Sequence, residues 1–205
     1  MAEHAARYTE ERYWDVCPGA WLETVDGSPT PQCSCGRARC GAPGAHPLDE
    51  GWASDATSSA GAARRLWAKV PLASVLLPTG RTFDALDVPD TAGFLALARM
   101  RRFDLPRGPV TLSPDGRMQF FVQPGAAARV PGLVRALGWS PGALDMGVRG
   151  EGWWVPAPPT RVGTRGSVQW ACPPGPGNRW LPDAAEILPA LAYACGREAA
   201  AARAR

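Results

Sequence analysis

VLLPTGRTFDALDVPD, residues 75–90, is the stretch on which the reading of this chain turns. Two short apolar runs, residues 74–77 and 83–88, flank Pro78, Thr79, Gly80 and Arg81, so the stretch reads as two strands joined by a turn. The second run ends on acids. Carboxylates at the end of a buried strand can hold a catalytic metal or simply solvate the strand end, and both readings stand for Asp84, Asp87 and Asp90. Asp84 precedes Asp87 by three residues, so on a strand the two point to opposite faces.

Outward from this stretch the signals alternate. Upstream, Thr57, Ser58 or Ser59 can cap a helix running to about Trp67, with Ala62, Ala63, Leu66 and Trp67 at helical spacing and Pro71 ending it. Downstream, Asp90 or Thr91 can cap a helix carrying Phe94, Leu95, Leu97, Ala98 and Met100. Residues 109–112 and 117–123 read as a hairpin around the turn Ser113-Pro114-Asp115-Gly116. A short helix over 130–137, short strands near 145–149, 152–155 and 167–171, and a helix over 183–195 complete the pattern, with 196–205 expected to fray. A further helix is expected over 3–14. This mixture predicts an α+β fold around a largely antiparallel sheet flanked by helices. The length suits a single domain over 1–205, with 17–47 as a Cys-rich loop inside it.

Charge narrows the function little. The 22 basic and 19 acidic residues leave a net charge of +3, too balanced to imply a polyanion partner by itself. No apolar run is long enough to span a membrane, and the N-terminal MAEHAARYTEER is charged where a signal peptide would be apolar. The expectation is a cytoplasmic protein with no membrane partner, whose six cysteines stay reduced.

In a reducing compartment, Cys33, Cys35 and Cys40 followed by His46 read as metal ligands. Zinc takes four such ligands tetrahedrally, and a closed set of four is the structural kind of site. The surrounding segment is rich in Gly, Pro and Ser and short of apolar side chains, so it needs a staple. The competing reading is four unrelated residues in a polar loop, and Cys17 is the replacement ligand if His46 does not bind. Cys172 and Cys195 read as buried apolar residues.

The order of the pieces carries a resemblance. A Cys-rich loop ending Gly44-Ala45-His46-Pro47 is followed by Gly51-Trp52 and Ala56-Thr57-Ser58, then by the strand pair with its acidic end. The Ser113-x-x-Gly116-Arg117 hairpin comes next, and Val148-Arg149-Gly150-Glu151-Gly152 then runs into Val155-Pro156-Ala157-Pro158-Pro159-Thr160. Together these resemble the bifunctional DNA primase/polymerase (prim-pol) domain of the archaeo-eukaryotic primase superfamily, over roughly residues 13–173. The resemblance implies an RNA-recognition-type sheet with a zinc-bearing flank, and extension of a strand from nucleoside triphosphates by Mg or Mn held on clustered carboxylates.

The resemblance also marks where this chain departs. The first acid of the family pair falls on Asp87, the second on Pro89, the triphosphate-contacting His on Met118 and the third acid on Gly147. Three of four catalytic positions are therefore substituted, with Asp145 as a possible substitute acid. Arg81, Arg117 and Arg149 remain as candidate phosphate ligands, and Trp153 and Trp154 as base-stacking candidates. The competing reading has the arginines paired with nearby acids and the tryptophans packing at a rim. Three functions stay open. They are a catalytically degenerate binder of nucleotide or DNA, an active nucleotidyltransferase using substitute acids, and a non-catalytic module for a replication or regulatory protein acting in trans.

Overall fold

The computed structural model describes residues 1–25 and 27–203. Its helices are α1 (Ala2–Arg12), α2 (Ala60–Lys69), α3 (Asp90–Arg102), α4 (Ala126–Ala136) and α5 (Ala184–Arg203). Its strands are β1 (Cys17–Gly19), β2 (Leu22–Glu23), β3 (Gln32–Cys33), β4 (Ser74–Pro78), β5 (Asp84–Pro89), β6 (Val110–Ser113), β7 (Arg117–Val122), β8 (Gly147–Arg149), β9 (Trp154–Pro156) and β10 (Gln169–Cys172). Helices and antiparallel sheets make the protein α+β. No helix among the described residues is long and apolar enough to cross a membrane.

The chain packs as two compact units. The first comprises Met1–Pro78, Ser113–Asp115 and Trp154–Gln169. Its three-stranded sheet has the order β1-β4-β9, with Cys17 opposite Leu76 and Leu77 opposite Val155. Every residue of β4 is buried, and the Thr160 hydroxyl clasps it by accepting from the Val75 amide and donating to the Val75 carbonyl. Ser59 caps α2 as its hydroxyl accepts the Ala62 amide, and Trp67 turns inward to donate its indole N–H to the Ala73 carbonyl. Arg64 on α2 reaches Glu3 and Glu10 on α1.

The second unit comprises Thr79–Leu112, Gly116–Trp153 and Trp170–Arg205. Its five-stranded sheet has the order β10-β6-β7-β5-β8, and β5 runs antiparallel to both β7 and β8. Alternation sorts its side chains. Leu86, Val88, Met118, Phe120 and Val122 face one way and bury against Ala92, Ala96 and Met100 of α3, Val130 and Val134 of α4, and Ile187, Leu188 and Leu191 of α5. Removing each large apolar side chain from water stabilises the unit by about 1.5–3 kcal/mol. Gly93 permits close approach of α3, since a Cβ there would meet Met118 Sδ at 2.4 Å. The other face carries Asp87, Gln119 and Phe121, the last stacked on Phe83 at 4.4 Å between ring centroids.

Two expectations change. The strands of residues 75–90 form, but they do not pair with each other: β4 pairs with β1 and β9, and β5 with β7 and β8. The turn between them is therefore a passage from one sheet to another. The segment expected to fray is helical as far as Arg203, while residues 204 and 205 lie outside the described residues.

Candidate active site and metal centre

Asp87 sits in the middle of β5, 3 % exposed, and is saturated by partners. Arg117, at the start of β7, brings Nε and Nη2 to 2.6 and 2.5 Å from Asp87 Oδ1. The same Nη2 donates to the Asp87 carbonyl at 3.2 Å. Gln119 Nε2 and Arg149 Nη2 donate to Oδ2 at 3.2 and 3.3 Å. Gln119 is in turn oriented by the buried Thr111 hydroxyl, which donates to its Oε1 at 2.8 Å. A buried carboxylate needs such partners, because an unpaired one would lose its hydration without return.

Arg117 bridges two acids. Its Nη1 donates to Asp145 Oδ1 at 2.8 Å, so the guanidinium lies between Asp87 and Asp145. Burial opposes the Arg117 charge, but the hydrogen bond to Asp145 and the charge of Asp87 outweigh it and raise its pKa. Asp145 precedes β8 in a loop and is largely exposed at its carboxylate.

The positions marked by the resemblance surround Asp87, with one exception. Gly147 lies directly opposite it on β8, and a Cβ at Gly147 would stand 3.7 Å from Asp87 Cβ. Pro89 follows two residues on along the same face of β5 and lies opposite Arg117. Met118 is the exception, fully buried on the helix-covered face. The residue across from Asp87 on β7 is Gln119, which sequence reasoning missed. The alternation Met118, Phe120, Val122 carried the signal, since it assigns Met118 to the core and Gln119 to the face of Asp87.

The remaining candidates divide. Arg149 lies over the Trp153 ring at 4.5 Å from its centroid, and Trp153 is 47 % exposed. Trp154 belongs to β9 in the first unit, where its indole donates to the Ala45 carbonyl and meets Trp52 edge-on. Arg81 is exposed in the passage between β4 and β5. Asp84 faces away from Asp87, and its Oδ2 accepts the Ala127 amide at 3.0 Å.

In the first unit the ligand atoms of Cys33, Cys35, Cys40 and His46 all lie within 4.8 Å of one another. Cys33 Sγ is 3.4 Å from His46 Nε2. A tetrahedral zinc with bonds of roughly 2.0–2.3 Å has ligand edges of roughly 3.5–3.8 Å, so the spacing fits. His46 Nδ1 lies 2.7 Å from the Pro47 carbonyl. That oxygen can only accept, so Nδ1 carries the proton and Nε2 is left with its lone pair toward the sulfurs. Hydrogen bonding from the Arg37 backbone lowers the Cys35 thiol to about 7, and burial pushes Cys40 up to about 11. The group can hold a metal such as zinc. Cys17 lies apart from it, buried in β1 opposite Leu76.

Among the described residues this is the one group of His, Cys, Asp or Glu whose ligand atoms converge for a metal. Asp87, Asp145 and Glu151 do not form another. The model of the family described as bifunctional DNA primase/polymerase, N-terminal, matches residues 5–189. No curated protein and no solved structure matches the chain.

Proposed function

The chain belongs to the bifunctional DNA primase/polymerase N-terminal family, and on that premise we propose that it is a catalytically degenerate member that binds nucleotide or nucleic acid. A divalent metal between clustered carboxylates would neutralise a triphosphate and activate the attacking hydroxyl. The residues around Asp87 do not fit one. Both Asp87 oxygens already accept from Arg117, Gln119 and Arg149, and its neighbours across the sheet are Gly147 and Gln119. The single observation that carries the reading is the Arg117 guanidinium between Asp87 and Asp145, a cation supplied by the chain itself.

What supports retained binding is Arg149. It spends one N–H on Asp87 and stacks on a half-exposed indole, an arrangement that suits a phosphate beside a base. The Cys33, Cys35, Cys40 and His46 group holds zinc in this reading and cross-links a loop that has little core of its own.

The test pairs two assays on the full chain. Primer extension with Mg or Mn is expected to give no incorporation. Binding of a labelled single-stranded oligonucleotide is expected to be salt-sensitive and weakened in Arg149→Ala. Incorporation that vanishes in Asp87→Ala would establish an active transferase instead, and no binding at low salt would remove the binding claim.

A further inference from the structure

The matched family region ends at residue 189, inside α5, yet the helix continues to Arg203. This continuation is packed tightly. Ala190, Leu191, Ala192, Ala194 and Cys195 join the core. Gly196 lies flat against Trp139, where a Cβ would meet ring atoms at 2.3 and 2.6 Å. One turn on, the Glu198 carboxylate accepts from the Thr91 hydroxyl at the start of α3, tying the helix end to the element that follows β5.

These contacts converge on the loop that delivers Asp145. Trp139 starts the segment, Leu144 is buried in the core, and Cys195 Sγ approaches the Asp145 carbonyl at 3.8 Å. Burial, followed by the charges of Glu198 and Asp145, pushes the Cys195 thiol up to about 12.

We infer that the end of α5 is a built-in lock on the Asp87 site, holding the Asp145 loop so that its carboxylate occupies Arg117 and keeps that guanidinium from a phosphate. The inference rests on the proposed binding reading and names its regulation. Its physical basis is the inequality of the two arms of Arg117. The Asp87 arm is buried and multiply bonded, whereas the Asp145 side chain is 70 % exposed. An exposed ion pair is weak, so a phosphate oxygen can compete for Nη1. What keeps the carboxylate in place is the anchoring of its loop by Trp139 on Gly196 and by Cys195. Releasing that anchor leaves Asp87 paired and frees one edge of Arg117.

Two variants of the full chain test this. Thr91→Val removes the exposed hydroxyl that holds Glu198, and Gly196→Ala displaces Trp139. Both are expected to speed amide hydrogen exchange over residues 137–146 and to tighten binding of a short labelled single-stranded oligonucleotide by about two- to fivefold. Asp145→Asn should reproduce the gain, and Arg117→Met should abolish it in each background. Unchanged exchange, or faster exchange without tighter binding in a protein that does bind, overturns the lock. No binding by any of these proteins, wild type included, overturns the binding reading, and the exchange data then decide by themselves whether α5 holds the loop.

Discussion

Asp87 and Gly147 face each other across β5 and β8, so close that a Cβ on Gly147 would stand 3.7 Å from that of Asp87. The missing carboxylate therefore has a place waiting for it. Gly147→Asp combined with Arg117→Met, which removes the cation that the chain itself supplies to Asp87, is expected to create a divalent-cation site from two acids on adjacent strands. Without a cation the new charge stands beside Asp87 and repels it, so the variant melts below wild type. With Mn at a hundredfold excess over Kd, binding adds about 2.7 kcal/mol. Thermal melts with and without Mn check this: the variant's Tm should rise and that of wild type should not.

Arg117 makes the opposite case. Arg117→Ala leaves Asp87 buried with its principal partner gone, and such half-pairs cost about 3–5 kcal/mol. Pairing the change with Asp87→Asn removes the stranded charge, so the double variant should be more stable than Arg117→Ala alone. Urea unfolding of the four proteins in a double-mutant cycle measures the coupling. Additive effects would mean that the short contacts between the two side chains carry no net energy.

How much of this was legible beforehand depended on the kind of signal. The alternation in β5 and β7 and the helical spacing after Asp90 are local, and strands and helix form there, although α3 starts from Pro89 with no side-chain cap rather than from a capping Asp90 or Thr91. The cysteines and His46 were legible because thiols so spaced have few other uses. The separation of β4 from β5 was not, since Pro78 to Arg81 says only that the chain turns and is silent on what each strand pairs with. The pairing of Arg117 with Asp87 and Asp145 stood only as the competing reading, and nothing local selected it, because Asp145 lies before β8 and no periodicity governs a loop. A lone Gln in an apolar run attracts no attention, although alternation alone would have set Gln119 beside Asp87.

For the metal centre, protein purified without added metal should carry about one zinc per chain. Cys33→Ser and His46→Ala should each lose the metal and loosen the loop around it. Cys17→Ser should keep it, because Cys17 lies in β1 against β4 and burial raises its thiol far above the usual range. Zinc content by elemental analysis separates these outcomes, and loss of zinc in Cys17→Ser would reassign the ligand set.

Strong acid should weaken the start of α5. Asp183 accepts the Ala185 amide and pairs with Arg129 at 2.7 and 3.0 Å, while Glu186 reaches back to the Asp183 amide to complete a capping box. Hydrogen bonding from Arg129, with that of Ala185, lowers the Asp183 pKa below its ordinary 3.8. A lowered carboxylate stabilises the fold above its unfolded value, and the contribution disappears as pH falls through the folded one. Asp183→Ala should cost about 1 kcal/mol near neutrality and flatten the melting curve against pH in the acid range. An unchanged acid limb would show that the cap contributes nothing there.

Asp84 settles what parity along β5 means. It is 1 % exposed and three residues from Asp87, so it looks toward α4 rather than the site. Helix α4 starts from Gly125, which offers no side chain, and has no acid in its first turn. The Asp84 carboxylate supplies both what a helix start needs, an acceptor for the Ala127 amide and a negative charge at the positive end of the dipole. Asp84→Ala should therefore lower stability by about 1.5–3 kcal/mol, the usual range for a hydrogen bond to a charged group. Asp84→Asn keeps an acceptor and should lose less. Neither should alter oligonucleotide affinity under conditions where the variant is folded, whereas Asp87→Asn should, since it changes the charge that Arg117 and Arg149 share. If Asp84→Asn changed affinity as much as Asp87→Asn, the division of β5 into a structural face and a binding face would be wrong.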